Sequence, residues 1–463
     1  MNRRVNRRYF LQASAAAGAA ALAGGRLLGE AKSDKLRVGM IGVGGMGGGN
    51  HDGILKAGAD VIAICDIDDK TNANAAKKSP KAKMYSDFRK MLDEMGKELD
   101  AVVVSTPDNC HAAAAVMAMK MGLHCYCEKP LTHDVYEARV VRHVAASTKA
   151  KGGGKLQTQM GNRGTAESGF RRGVELLQAG VIGPVKEVYI WSNRPQKYWK
   201  QGMAERPPAE TPPPNVHWDL WLGPAPERPY AKGYHPFAWR GWWDFGTGAL
   251  GDMACHTANQ AFMGLNLAAP KAVEFKGSKG GPATKESPPV ASTILFEFPE
   301  RGTGFPAVQV TWLDGSLSGN LPPERVLEQV KKLAGGKVPE SGAIYFGEKG
   351  VMFAPDDYAT TYKLLPGELN EAAKQVPVTL PRNKGGHYQE WVDACTGKIP
   401  QAMSNFDYAA RLTDFVLLGN VAIRVGKRIE WDAEAMKATN CPEADQYIRR
   451  EYRKGWTLDG TPA

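Results

Sequence analysis

The chain has 463 residues, 43% hydrophobic and 23% charged, a length that predicts two domains and a composition ordinary for a soluble globular protein. The formal net charge is +10, but five arginines and one glutamate of that balance fall within residues 1–31. The mild basic excess that remains, with no lysine/arginine run interleaved with aromatics, excludes a nucleic-acid footprint. Beyond the N-terminus no apolar run reaches the roughly 18 residues of a membrane span. The seven cysteines, at positions 65, 110, 125, 127, 255, 395 and 441, are sparse, odd in number and mostly set in apolar runs. They predict buried thiols rather than a disulfide framework.

In chain order, the first feature is a leader. Asn6-Arg7-Arg8-Tyr9-Phe10-Leu11-Gln12 places an arginine pair before a phenylalanine and a leucine, and a weakly apolar Ala/Gly-rich run follows from Ala13 to Gly25. That run has no polar face to complete an amphipathic helix. The segment resembles a twin-arginine export signal. The resemblance implies use of the twin-arginine export machinery and a periplasmic or otherwise exported protein. Cleavage would follow Ala23 or fall near Ala31.

The next stretch alternates strand and helix. Strands are predicted at Leu36–Ile41, Val61–Cys65, Ala101–Thr106 and Leu123–Cys127. Helices are predicted up to about Gly58 and at Asp68–Lys78, Asp87–Gly96, His111–Met121 and His133–Thr148. Buried-looking strands alternating with helices predict a doubly wound parallel sheet. The style changes at Gly152-Gly153-Gly154. Beyond come Leu156–Met160, a helix at Ser168–Ala179, and alternating strands at Lys186–Trp191, Ser292–Phe298, Ala307–Trp312, Gly342–Phe346 and Val351–Phe353. These suit a large open antiparallel sheet with one covered face. Glu205–Tyr230 is Pro-rich and predicts a long surface loop. Helices return at His387–Thr396 and Phe406–Val425, the second stopped by Gly426.

The expected class is therefore α/β. Residues 1–31 form the leader, 36–154 a dinucleotide-binding Rossmann domain, 155–440 an α+β substrate domain, and 441–463 a tail. The late helices are expected to pack back on the first domain.

Gly42-Val43-Gly44-Gly45-Met46-Gly47 fits G-x-G-x-x-G between a predicted strand and a predicted helix. Glycines 42, 44 and 47 permit the tight turn, the close approach of backbone to pyrophosphate, and close helix–strand packing. Met46 stands inside the turn, where the helix N-terminus offers free N–H groups to phosphate. Asp66 ends the second strand, where a carboxylate binds the ribose 2′-hydroxyl of NAD and repels the 2′-phosphate of NADP. NAD is thus the expected cofactor, ahead of NADP. Lys129 ends another strand of the same sheet; a partly dry lysine there can have a lowered pKa and serve as acid or base.

Three segments carry a family resemblance. Glu128-Lys129-Pro130 looks like the EKP motif of the Gfo/Idh/MocA oxidoreductases. Thr106-Pro107-Asp108-Asn109-Cys110-His111 resembles their T-P-x-x-x-H turn, and Gly246 to His256 resembles their G-G-x-L-x-D-x-G-x-H helix, with Thr247 and Ala254 in place of glycines. The resemblance covers about Leu36 to Asp432. It implies that Thr106, His111, Glu128 and Lys129 surround the dinucleotide. It also implies that Lys129 and His256 handle a proton while Asp252 orients a substrate; which of the two is the principal acid/base stays open.

Asp252 and His256 are four apart, hence on one helix face. No third ligand at usable spacing accompanies them, so no metal is expected. An aromatic stretch, Tyr234 to Asp244, precedes that helix. Trp239 and Arg240 suit either a sugar or packing, whereas Trp242 and Trp243 suit packing. Asn162, like Gln159, ends a strand facing the same crevice and is expected at the substrate; His387 and Trp391 are expected to be structural. These readings imply an enzyme that oxidises or reduces a small-molecule sugar or polyol. A redox-neutral glycoside hydrolase or lyase acting through transient oxidation is the alternative, and a binding protein that kept the fold is a third. Family habit implies a homo-oligomer formed through the antiparallel sheet.

Overall fold

The computed structural model describes residues 35–458. The leader, residues 1–31, lies outside them, as do the last five positions. Six short strands make the first sheet: β1 (Arg37–Ile41), β2 (Asp60–Cys65), β3 (Lys83–Tyr85), β4 (Ala101–Val104), β5 (His124–Cys127) and β6 (Thr158–Met160). They run in the order β3-β2-β1-β4-β5-β6, and every pair is parallel. The order reverses between β1 and β4, and ligands of such sheets bind outside the strand ends at that switch point. β4, Ala-Val-Val-Val, is buried along its whole length, as a strand covered on both faces must be. The Ala-rich helix Asp108–Lys120 is apolar nearly all round and buried to match. β3 is not anticipated by the sequence, because its Lys-Met-Tyr is a half-exposed edge with little apolar signal. β6 lies past the boundary expected at residue 154, yet it completes the parallel sheet.

The second sheet joins nine described strands: β7 (Val185–Ser192), β8 (Ala272–Lys279), β9 (Ala291–Phe298), β10 (Val308–Asp314), β11 (Gly342–Gly347), β12 (Val351–Ala354), β13 (Lys363–Leu365), β14 (Arg428–Asp432) and β15 (Lys437–Ala438). Their order is β13-β12-β11-β7-β10-β9-β8-β14-β15. All neighbours are antiparallel except β7 and β10, which run parallel, so the sheet is mixed rather than purely antiparallel. One face packs on the helix Phe406–Val425, which starts from an Asn405 cap and ends at Gly426 in the left-handed region. The opposite face is not wholly open. The helix Glu324–Ala334 lays Val326, Val330 and Leu333 on Trp191, Leu313, Ile344 and Phe353, and so occupies part of the face through which self-association was expected.

The late helices reach the first sheet's domain. Phe406–Val425 packs on the helix Val135–Ser147, and Gly386–Cys395 packs on the helix Met46–Lys56. At that second crossing a Cβ on Gly53 would lie 2.3 Å from the Tyr388 ring, so the contact needs glycine. The Pro-rich segment is no mere surface loop. Trp221, Leu222, Ala225 and Tyr230 are buried, and a short helix, Trp218–Leu222, stacks Trp218 on Trp221. Its aromatics need an apolar partner, and they find it in Tyr234 and Phe245. All seven cysteines are free thiols, six of them buried.

Candidate active site

A cavity of about 450 Å³ opens at the carboxyl ends of β1, β2, β4 and β5. Its phosphate-sized end is made of glycine. Gly42 sits at φ +82°, where a Cβ would stand 2.6 Å from the Ser105 carbonyl oxygen; a Cβ on Gly47 would stand 2.2 Å from the Gly42 carbonyl oxygen. Neither clash can be relieved by a side-chain shift, so both positions require glycine. Gly44 and Met46 line the cavity. The helix Met46–Lys56 begins with no side-chain cap and no acidic residue in its first turn, leaving its amide dipole to an anion.

Asp66 lines the same cavity. Its Oδ2 accepts from the Val43 N–H at 2.9 Å and the Gly44 N–H at 3.2 Å, and its Oδ1 accepts from the Asp68 N–H at 3.0 Å. Burial raises its pKa, and the three backbone donors offset that only in part. The carboxylate is thus fixed against the glycine turn with acceptor capacity left for a hydroxyl. A turn that only glycine can make, an uncapped helix end and a tethered carboxylate together fit a dinucleotide with a free 2′-hydroxyl.

The turn after β4 braces the middle of the cleft. The ring nitrogens of His111 face the Pro130 carbonyl at 2.8 Å and the Thr106 carbonyl at 2.9 Å, tying the β4 and β5 ends together. Asp108, fully buried, accepts from the Thr247 hydroxyl at 2.7 Å and the Thr247 N–H at 3.1 Å. The departure from glycine at Thr247 therefore has a use: it moors the helix Gly248–Thr257 to the dinucleotide turn. Ala254 is buried on the same helix. Glu128 accepts from Asn50 Nδ2 at 3.0 Å and the Tyr126 hydroxyl at 3.2 Å.

At the far end the charges concentrate. Lys129 Nζ donates to Asp252 Oδ1 at 2.6 Å, and Arg240 Nε stands 3.3 Å from the same oxygen. The Arg240 guanidinium lies 4.2 Å from the Trp239 ring centroid and 4.4 Å from that of Phe237. Burial alone would lower the Lys129 pKa, but Asp252 more than compensates and the ammonium is held above its usual value. This corrects the lowered pKa that the strand-end position suggests; the sequence does not show the carboxylate on the facing helix. Burial would raise Asp252, yet Lys129 and Arg240 hold it well below the usual carboxylate range. His256, one turn along, is pushed well below its usual value by burial and then by the Lys129 charge. It is therefore neutral at physiological pH. Its ring packs edge-on against Tyr358 with centroids 4.9 Å apart, and its buried Nδ1 has no hydrogen-bond partner.

Lys129, Arg240 and Trp239 thus line the dinucleotide cavity together with Thr106, His111 and Glu128. Asp252 and His256 are not among the lining residues: Asp252 is paired with Lys129 and Arg240 at the cavity wall, and His256 lies one turn farther along the same helix. Asn162 is placed otherwise. It is fully buried, its Oδ1 accepts from the Ser404 hydroxyl, and it does not line the cavity. Gln159 donates to the His387 carbonyl oxygen at 2.9 Å. Trp242 and Trp243 are buried and donate to backbone carbonyls, as does the ring N–H of Trp391. Among the described residues no group of three or more His, Cys, Asp or Glu could hold a metal ion. Reasoning from sequence missed Asn50, Asp108, Tyr358, Trp221 and Trp456. Asn50 carried a signal, one turn beyond Met46 on the same helix. Trp456 carried none.

Comparison with known proteins agrees with this architecture. Residues 36–152 match the model of an oxidoreductase family's NAD-binding Rossmann fold, and residues 174–283 match the same family's C-terminal alpha/beta domain. The inositol 2-dehydrogenase of Salmonella typhimurium is 30% identical over 152 residues, 32% of this chain and 43% of that protein. That of Corynebacterium glutamicum is 37% identical over 105 residues, 22% of this chain and 30% of that protein. The chain thus spans less than half the length of the curated relatives it matches. Among solved structures, the WlbA dehydrogenase of Bordetella pertussis, in complex with NADH and UDP-GlcNAcA, superposes with a TM-score of 0.58 at 15% identity. That match covers 86% of this chain and 99% of WlbA, and it shows the shared fold. The glycine turn, the Asp66 tether and the Lys129–Asp252 pair belong to a recognised pair of domains: the chain is a member of the Gfo/Idh/MocA family of oxidoreductases, and its cofactor is NAD.

Proposed function

We propose that the protein is an exported, NAD-dependent oxidoreductase that moves hydride between a carbinol carbon of a sugar or polyol and nicotinamide. The observation that carries this reading is the buried charge cluster of Lys129, Asp252 and Arg240 beside a neutral His256. Bound NAD supplies the hydride acceptor. Lys129, kept protonated by Asp252, donates a hydrogen bond to the carbinol oxygen and stabilises negative charge developing there. His256, kept neutral by burial, takes the hydroxyl proton as the C–H hydride leaves the same carbon, and returns it in the reverse direction. Asp252 aims the ammonium, and Arg240 with Trp239 offers a charged edge and an apolar face to a sugar ring. Support for a polyol or sugar comes from the inositol 2-dehydrogenases to which the Rossmann half is similar. Support for export comes from Arg7-Arg8 and the Ala/Gly run after them.

A second reading, redox-neutral glycoside cleavage through transient oxidation, is favoured by the buried indoles of Trp221 and Trp456 in the wall of the cofactor cavity. A dinucleotide that is hard to exchange suits chemistry that closes its redox cycle in place. One experiment separates the two. The purified protein, supplied with NAD, is incubated with inositol, a set of aldoses and a set of aryl glycosides, and NADH and released aglycone are recorded together. NADH without aglycone supports the dehydrogenase, aglycone without net NADH supports the second reading, and silence across the panel removes both.

A further inference from the structure

The adenosine end of the cavity is roofed by two segments that belong to neither Rossmann strand ends nor the charged cluster. The first is the strap Asn215–Gly223. Asn215 Nδ2 donates to Asp68 Oδ1 at 2.7 Å, and the His217 N–H donates to the Ile67 carbonyl oxygen at 2.9 Å. His217 Nε2 lies 2.9 Å from Asp69 Oδ1. Val216 forms an antiparallel bridge with Asp68. The strap is therefore sewn to the residues that follow Asp66, beside the ribose carboxylate. Its far end is sewn to the next strand's turn: Asn109 Nδ2 donates to the Leu222 carbonyl oxygen at 2.8 Å. There a Cβ on Gly223 would lie 2.4 Å from Cys110 Sγ. Trp221, 4% exposed, faces the cavity.

The second segment is the stretch Arg450–Trp456 near the C-terminus, which fastens the strap. Arg450 Nη2 donates to Glu137 Oε1 at 2.7 Å and to the Asn109 carbonyl oxygen at 2.6 Å. The Tyr452 hydroxyl donates to the same glutamate at 2.6 Å. Arg453 grips the strap itself, donating from Nε to the Gly223 carbonyl oxygen at 3.1 Å and from Nη2 to the Asp219 carbonyl oxygen at 2.9 Å. It also pairs with the Asp219 carboxylate. Trp456 then turns into the cavity wall, its ring under the Arg89 guanidinium at 4.2 Å and 5.9 Å from Phe88.

We propose that strap and tail form a clasp that closes Trp221 and Trp456 over the adenosine half of the dinucleotide, making NAD a resident group that leaves only when the tail unfastens. Two indoles, with Phe88 and Leu220 beside them in the cavity lining, offer an adenine ring stacking and exclude water from its faces. The clasp hydrogen bonds are made to backbone and to Rossmann side chains, so opening it must break several bonds at once. Its contribution therefore falls on the dissociation rate. The inference rests on NAD as the cavity's occupant, and its test separates the two ideas.

NADH is bound to the full chain and chased with excess NAD, and the loss of tryptophan-to-NADH energy transfer is followed in time. Arg453→Ala and Trp456→Leu are compared with the wild type, each checked for folding by circular dichroism. The expected result is slow release from the wild type and release at least about tenfold faster from either variant. Wild-type release as fast as in the folded variants overturns the clasp and leaves NAD binding intact. No NADH bound by the wild type, together with no NAD(H) freed when that protein is denatured, overturns both. Should Arg453→Ala fail to fold, Trp456→Leu, which leaves the Arg453 bonds in place, decides alone.

Discussion

The two ends of the cleft hold a carboxylate by opposite means. Asp66 is held by three backbone N–H groups, and burial still leaves its pKa raised. Asp252 is held by an ammonium and a guanidinium, and it lies far below the usual range. Desolvation raises both carboxyls, so the opposite outcomes lie in the partners. Neutral dipoles offset desolvation in part, whereas two formal charges overturn it. The first arrangement suits recognition of a neutral hydroxyl. The second suits stabilisation of negative charge developing on a bound oxygen.

The charged end is broken by Lys129→Met. Without the ammonium, Asp252 keeps only Arg240, its pKa climbs, and nothing stabilises the carbinol oxygen. Turnover is expected to fall by about 10²–10³-fold, the usual cost of removing one donor that stabilises a developing oxyanion. NAD affinity is expected to hold, because the glycine turn and Asp66 are untouched. Steady-state turnover and an NAD titration on the same preparation check this. Near-normal turnover would take Lys129 out of the mechanism.

The backbone-held end is weaker and is tested by Asp66→Ser. A hydrogen bond to a charged group contributes about 1.5–3 kcal/mol, so NAD is expected to bind roughly 10–100-fold less tightly. The gap to NADP is expected to narrow, since repulsion of the 2′-phosphate is gone. Titrating both dinucleotides against wild type and variant gives the answer. Tighter NADP binding by the wild type would contradict the role given to Asp66.

What the sequence could and could not reveal follows the same division. The glycine turn and Asp66 are legible from local spacing, a turn between strand and helix and a strand end. Lys129, Asp252 and His256 are legible only through the resemblance of their segments to a family, because a lysine at a strand end and two residues on one helix face do not by themselves point to one another. The helix Phe406–Val425 is legible from an apolar run ended by Gly426. The direction of the Lys129 shift is not, because its cause is a carboxylate 123 residues away in the chain. β8 escapes because its second half, Lys-Gly-Ser-Lys, reads as a turn. Asn162 sits where a strand end points to the crevice, but Ser404, from a remote loop, claims its side chain. The clasp is invisible for the same reason. Arg453 meets Gly223 across 230 residues of chain, and no periodicity records such a contact.

The smallest expected effect contrasts two buried histidines, His256 at the reacting end and His387 in the packing beneath Glu128. His387 is fully buried; burial, and then the charges of Arg163 and Arg171, lower its pKa to about 3. Its Nε2 accepts from Gln159 Nε2 at 3.2 Å, a role that protonation would remove, and lies 3.2 Å from the Tyr126 hydroxyl, whose proton goes to Glu128. In the unfolded chain a histidine takes up its proton near pH 6.5. The unfolded state therefore binds more protons between about pH 6.5 and pH 3, and stability falls as pH drops through that window. One such group contributes a slope of about 1.4 kcal/mol per pH unit. His387→Gln keeps a polar side chain and removes the titration. Denaturant unfolding of both proteins from about pH 6.5 down to about pH 4.5 should show the wild type losing stability faster than the variant, the difference between them changing by up to about 2.7 kcal/mol. Parallel curves would mean that His387 accepts its proton within the fold. Turnover and its pH profile above about pH 6.5 should be unchanged in this variant, because His256, not His387, faces the Lys129–Asp252 pair.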